Sequence, residues 1–296
     1  MDPISAQFMP PMTELAAPWW PELHASAGPG PTAFGPQVGM WMSTRALPVL
    51  GQGSAAPYDA FNLGDHVGDS PAAVATNRAL LAQCCGAEPV WLNQVHGVRV
   101  VRLSRDAMGR ACADGQPTAI PVADGAFTTE PGLVCTVMVA DCLPVLLAAP
   151  DGRGVAALHA GWRGLCGAGS PTPGGVIDAG VSALCEATGC EPAELRAWLG
   201  PCIGPEAFEV SAAVLEGFGL APGQHHPAFR PQGLRDGALR WLADLPALGR
   251  ERLNGLGVQQ VDGGRWCTVS QPSRFFSFRR DGVTGRQAAC IWLRPR

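Results

Sequence analysis

Apolar positions fall in short runs punctuated by glycine- and proline-rich turns along most of the chain. Strands are predicted at Pro89 to Leu92, Val98 to Leu103, Leu133 to Ala140, Val145 to Ala149, Val155 to His159 and Ala197 to Leu199. A closing pair, Phe275 to Arg279 and Ala288 to Leu293, flanks Asp281-Gly282 and reads as a hairpin. Helical signals lie between these runs. Ser70-Pro71 offers an N-cap and a proline at the first helical position, Ala72 to Cys85 favours helix, and Gly86 stops it. Further helices are predicted from Pro173 to Gly189, around Ala212 to Phe218 and across Leu245 to Leu253. Adjacent strands joined by short turns, without regular βαβ alternation, predict antiparallel or mixed pairing in one α/β domain. Residues 1–36 differ. Pro-Pro, Ala-Ala-Pro and Gly-Pro-Gly-Pro with little periodicity read as a flexible N-terminal extension that packs Trp19 and Trp20 on the body at most, with the folded domain over residues 37–296.

Composition sharpens this picture. Apolar residues make up 47% and charged residues 16% of 296, against about 25% charged in a typical globular chain, so a well-filled core is expected. All 21 basic residues are arginine. With no lysine, a Walker phosphate loop, a Schiff-base amine and a lysine general base are all excluded, and a bound anion must be held by arginine, backbone N–H groups or a metal. A net charge of −4 argues against a nucleic-acid binder that neutralises phosphates. The most apolar stretch, Gly132 to Ala149, is broken by Asp141 and Pro144, so no membrane span is expected. The first basic side chain is Arg45, which leaves a secretory signal unsupported and makes a cytoplasmic location the expectation. The 11 cysteines are scattered and odd in number, and read as reduced thiols, most of them small core residues.

The densest chemistry lies between Asp141 and Gly164. Pro150-Asp151-Gly152-Arg153-Gly154 is a turn between two apolar runs, so its flanks should pair as a hairpin. With the turn centred on Asp151-Gly152, Cys142 faces residue 161; a slip by one residue moves its partner to 163. In either register Cys142 and His159 meet at the open end. His96 follows the strand-like Val90 to Leu92, beside Gly97, which permits close backbone approach. Converging His, Cys and His would give a donor set suited to zinc with its fourth position open. The same thiol and imidazole also suit a metal-free alternative, with Cys142 as nucleophile and His159 as base in amide hydrolysis, for instance of a cell-wall precursor. Asp141 could orient a ligand histidine or shuttle a proton, or simply cap a strand end. His66, in a turn-rich segment, is a candidate for substrate contact or loop stabilisation. Arg45 and Arg163 suit phosphate recognition because a guanidinium donates in a fixed fork, although Arg163 could instead stack on Trp162. His225-His226 reads as surface.

At these residues the chain resembles the YfiH or laccase-domain proteins, once called multicopper polyphenol oxidases and now linked to purine nucleoside phosphorolysis. The resemblance runs through Ser43-Thr44-Arg45, Phe61-Asn62-Leu63-Gly64, His66-Val67-Gly68-Asp69, Gln94-Val95-His96-Gly97, Ala123-Asp124-Gly125, Ala140-Asp141-Cys142 and His159-Ala160-Gly161-Trp162-Arg163-Gly164. Gly200-Pro201-Cys202-Ile203-Gly204-Pro205 and Phe275-Phe276-Ser277 with Arg279-Arg280 complete it, whereas the N-terminal extension and Gly51-Gln52-Gly53-Ser54 depart from the pattern. It implies an α/β layered sandwich of mixed β-sheets flanked by helices, with His96, Cys142 and His159 as zinc ligands. The implied reaction is attack of phosphate on C1′ of a purine nucleoside to give ribose 1-phosphate and free base. The open zinc position would also suit adenosine deamination through an activated water. Polyphenol oxidation with copper is disfavoured, because blue-copper and trinuclear sites together need on the order of ten histidines and the chain has 6.

Overall fold

The computed structural model describes residues 34–45, 53–117, 120–170 and 174–295. The expectation of a flexible extension, with Trp19 and Trp20, lies outside the described residues up to position 33. Phe34, which that expectation had included, is buried in the core.

In chain order the elements are β1 (Val38–Met42), α1 (Pro71–Cys85), β2 (Glu88–Val90), β3 (Val100–Arg105), β4 (Ala111–Ala113), β5 (Gln116–Pro117), β6 (Gly125–Thr128), β7 (Leu133–Val139), β8 (Leu143–Ala148) and β9 (Val155–Ala160). There follow α2 (Trp162–Cys166), α3 (Val176–Thr188), β10 (Arg196–Leu199), β11 (Glu209–Val210), α4 (Ala212–Gly217), β12 (Phe229–Arg235), β13 (Ala238–Ala243), α5 (Leu245–Gly255), β14 (Gln260–Gly263), α6 (Phe278–Asp281) and β15 (Gln287–Leu293). Three mixed or antiparallel sheets result, in the orders β1-β15-β7-β2, β14-β10-β8-β9-β6-β3-β4-β5 and β11-β13-β12.

The side-chain period of two explains how these sheets stack. Along β7, Leu133, Cys135, Val137 and Val139 enter a core shared with the large sheet, while Val134 and Met138 face a second core beneath α1. On β15, Ala289, Ile291 and Leu293 join the first core, and Ala288, Cys290 and Trp292 the second. The large sheet divides likewise. Leu146, Ala148, Val155 and Ala157 face the four-stranded sheet, whereas Leu143, Val145, Leu147, Ala156 and Leu158 pack against α3, α5 and the small sheet. The layers therefore run helix, sheet, sheet, helix, as the α/β sandwich expectation required. Every residue of β7, β8, β9 and β15 is buried. Such strands appear in sequence as unbroken apolar runs.

Four predicted helices form within a few residues of expectation, and Gly86 and Gly189 adopt the left-handed conformation that ends α1 and α3. Ser70 precedes α1 but its side chain makes no capping bond. The terminal hairpin does not form. Ser277 Oγ accepts the Arg280 N–H at 3.3 Å and winds the chain into α6, with Asp281 ending that turn and Gly282 at φ 69°. β15 pairs instead with β1 and β7. The hairpin of β12 and β13 gave no apolar signal because all of β12 after Phe229 is exposed. No helix among the described residues is long and apolar enough to cross a membrane.

Leu158 of β9 is fully buried. A Cβ on Gly180 of α3 would lie 2.6 Å from its methyl carbons, and one on Gly125 of β6 would lie 2.7 Å away. Two glycines thus leave room for this one side chain and offer nothing to fill the space without it. Leu158→Ala is expected to cost about 3–5 kcal/mol, the upper part of the range for such truncations. Urea unfolding should show a lower midpoint with an unchanged slope; a loss below about 1 kcal/mol would mean that the glycine seam collapses freely.

Candidate metal centre

β8 and β9 pair with Leu143 opposite Ala160 and Ala148 opposite Val155, the register in which Cys142 faces Gly161. At the open end of this hairpin Cys142 and His159 continue the alternation that faces the four-stranded sheet. His96 arrives from the other sheet, six residues beyond β2. The donor set therefore closes the seam between the two sheets. Cys142 Sγ lies 3.7 Å from His96 Nε2, and one donor atom from each of the three residues falls within 4.8 Å of the others. The two imidazoles meet edge to face, with centroids 4.8 Å apart. Gly161 makes this approach possible, since a Cβ there would lie 3.0 Å from both Cys142 Sγ and His96 Cδ2.

Asp124, which carried no role in the sequence reading beyond a matched segment, organises the set. Its fully buried carboxylate accepts His159 Nδ1 at 2.8 Å, leaving Nε2 for the cluster. It also accepts the backbone N–H groups of Val95 (3.2 Å), His96 (2.8 Å) and Gly97 (2.7 Å). One side chain thereby fixes the ring of one histidine and the backbone of the other, which sits at a positive φ of 61°. Burial favours the protonated form of Asp124, but its bonds and charge interaction with His159, together with the backbone donors, hold its pKa below the usual carboxylate range. Burial likewise opposes the Cys142 thiolate. The His159 charge and bonds from both histidines outweigh it and lower the thiol to about 6. His159 moves the other way, to about 9, because the attraction of Cys142 and Asp124 exceeds the desolvation of its cation.

Asp141 does not orient a ligand. Its carboxylate accepts Thr268 Oγ1 at 2.5 Å and Ser277 Oγ and the Arg279 N–H at 2.7 Å each. Its φ of 108° is strained for a residue with a side chain, and those three donors hold it there. Asp141 thus ties the residue next to Cys142 to the segment leading into α6.

The cluster opens into a cavity of about 800 Å³. Phe278, Arg279, Arg286, Asp65, His66, Arg78 and Trp91 are among the residues that line it. Asp65 sits between His66 Nδ1 (3.5 Å) and Arg78 Nη2 (3.2 Å), and Arg78 stacks on Trp91 at 4.1 Å. Arg286 is half-buried, and its Nη1 donates to the carbonyls of Thr284 and Gly285. Among the described residues no carboxylate pairs with it, and its charge interacts with Cys142 and Asp141. The two arginines singled out in sequence lie outside the cavity lining. Arg45 pairs with Asp59 and Asp281 and packs over Phe276, and Arg163 lies exposed on α2 with its guanidinium 4.5 Å from the Trp162 ring. His226 pairs with Glu251.

The donors fit zinc. Tetrahedral coordination at about 2.3 Å to sulfur and 2.0 Å to nitrogen brings S and N to roughly 3.5 Å apart, close to the 3.7 Å between Cys142 and His96.

Residues 40–294 match the family described as multi-copper polyphenol oxidoreductase laccase. The chain is 41% identical over 284 residues to an Escherichia coli (strain K12) protein named purine nucleoside phosphorylase YfiH, covering 95% of this chain and 100% of that one. A Pseudomonas aeruginosa protein, also named as a purine nucleoside phosphorylase, is 42% identical over 240 residues, 81% of this chain and 88% of that one. The crystal structure of a Neisseria meningitidis protein, 38% identical, matches with a TM-score of 0.74 over 89% of this chain and 97% of that chain.

Two outcomes follow from this geometry. In chelator-treated protein, alkylation of Cys142 by iodoacetamide should follow its thiolate, rising through a midpoint near 6 and falling away at lower pH. His159→Ala should move that midpoint up; an ordinary thiol midpoint in the unsubstituted protein would refute the ion pair. Asp124→Asn should weaken zinc binding about ten- to a hundredfold, measured by competition with a chromogenic chelator, and an unaltered affinity would remove Asp124 from its positioning role.

Proposed function

The chain belongs to the laccase-domain family of multi-copper polyphenol oxidoreductase type, and on that premise we propose that it is a zinc-dependent purine nucleoside phosphorylase. One observation carries this reading beyond the names of its relatives. A three-donor metal set and a half-buried arginine with no carboxylate partner among the described residues line a single cavity, whose volume suits a nucleoside with phosphate.

His96, Cys142 and His159 would hold the ion, with Asp124 keeping His159 in one tautomer. When bound, zinc supplies a Lewis-acid position at the cavity wall. Arg286, steadied by two carbonyls, offers its remaining donors to phosphate and takes the part that sequence had given to Arg45 and Arg163. A phosphate oxygen forms a bond to C1′ as the C1′–N9 bond breaks. The electron pair leaves with N9, and the base takes up a proton. Holding phosphate beside the sugar supplies orientation, and the guanidinium keeps it in register as positive charge develops on the ribose. His66, oriented by Asp65, offers a hydrogen bond to the substrate from the same cavity lining. The same cavity would admit adenosine deamination by water.

The metal-free thiol hydrolase draws support from the lowered Cys142 pKa. A thiolate beside two imidazoles is equally the state that a metal ligand requires. For copper oxidation, one three-donor group among the described residues is far short of the roughly ten histidines of a multicopper centre.

Adenosine incubated with and without phosphate should yield adenine and ribose 1-phosphate only when phosphate is present. His96→Ala, Cys142→Ala and His159→Ala should each lose zinc and this activity while folding. Arg286→Lys keeps the charge but loses the fork, and should raise the phosphate KM about ten- to a hundredfold, equivalent to roughly 1.5–3 kcal/mol, with zinc content unchanged. Inosine formation, which uses water, should be spared. A wild-type protein that releases no adenine with phosphate, yet is alkylated at Cys142 with loss of an amidase activity, would favour the thiol hydrolase.

A further inference from the structure

We propose that Phe278 is the platform on which the purine base of the substrate stacks, and so a specificity-determining residue. This rests on the phosphorylase reading above. Phe278 is 59% exposed and yet forms part of the cavity wall. A large ring left in water forgoes the free energy of burial, and in the wall of a concave site a flat apolar ligand restores it. Among the described residues Ile120 is the other exposed large apolar side chain in this lining, but it is aliphatic and has no flat face to stack on, whereas Met108 and Leu234 lie outside it.

The backbone around the ring is fixed from both sides. Ser277 and Arg279, its two chain neighbours, each bond the Asp141 carboxylate at 2.7 Å, and Asp141 adjoins Cys142. The segment carrying the ring is therefore anchored to the residue that precedes Cys142 in the chain. The guanidinium carbon of Arg286 lies over the ring, 6.0 Å from its centroid, so the base would stack on the ring's other face. A phosphate gripped by Arg286 and a base lying on Phe278 fall within the span of one nucleoside and its attacking anion. Stacking selects for ring area and not for a donor and acceptor pattern. The platform should accept adenine and hypoxanthine alike and favour both over pyrimidines.

The test uses the full-length, zinc-loaded protein and equilibrium dialysis with adenine and, separately, ribose 1-phosphate. Phe278→Ala should weaken adenine binding about ten- to a hundredfold and leave ribose 1-phosphate binding and zinc content unchanged, while Phe278→Tyr keeps the wild-type affinity for adenine. Unchanged adenine binding in Phe278→Ala would overturn the proposal. So would an equal loss for both ligands, which marks a collapsed wall, or a wild-type protein that does not bind adenine. Dialysis needs no turnover. Wild-type protein that binds adenine through Phe278 but shows no phosphate-dependent cleavage leaves the platform standing and removes the phosphorylase reading alone.

Discussion

The Asp124 carboxylate is the constraint on which the site depends. A buried carboxylate is tolerated only when its charge is met by donors, and here four N–H groups from two distant segments meet it. The Val95–Gly97 turn would otherwise leave backbone groups without partners, and the His159 ring would be free to take either tautomer. Because the carboxylate serves both histidines, neither can move without disturbing the other. The strained backbone at His96 is maintained by the same bonds.

Around this anchor, the β8–β9 hairpin supplies the remaining precision. Its register was legible in sequence because only two alternatives fitted the Asp151-Gly152-Arg153 turn, and both placed Cys142 and His159 at one end. The main core strands were legible too, since strands covered on both faces must be apolar throughout. Helix ends at Gly86 and Gly189 followed from the conformational freedom of glycine alone. Elements that depend on distant partners were not legible. Phe275 to Arg279 has the composition of a strand, yet Asp141, more than a hundred residues earlier, draws Ser277 and the Arg279 N–H toward itself and the chain turns helical. The polar β12 carries no apolar period because it packs on one neighbour at the surface.

The candidate residues divide along the same line. His96, Cys142 and His159 were identifiable from residue type, the hairpin and family resemblance, and the fold gathers them. Arg45 and Arg163 stood in matched segments too, but position in a motif does not say where a long side chain ends. Arg45 is engaged by two aspartates and Arg163 by an indole. Arg286 lay just outside the matched motifs. Its significance comes from having carbonyls, and no carboxylate among the described residues, for company, a property of three-dimensional neighbours. Asp124 could have been suspected as a lone acid in an apolar stretch, immediately before the buried strand β6.

The donors that could hold a metal come from both sheets, which are also joined by side-chain packing, by the Asp124 carboxylate and by backbone bonds of Asn93 with Pro121 and Ala123. A cation seated among them would act as a rivet through two plates, resisting the sliding motion that apolar contacts oppose only weakly. Any ion that binds the folded chain in preference to the unfolded one adds stability in proportion to the logarithm of its free concentration. The durability of the sandwich would then be set partly by the cell's supply of that ion, and chelation would loosen the seam that forms the cavity before it disturbed either sheet.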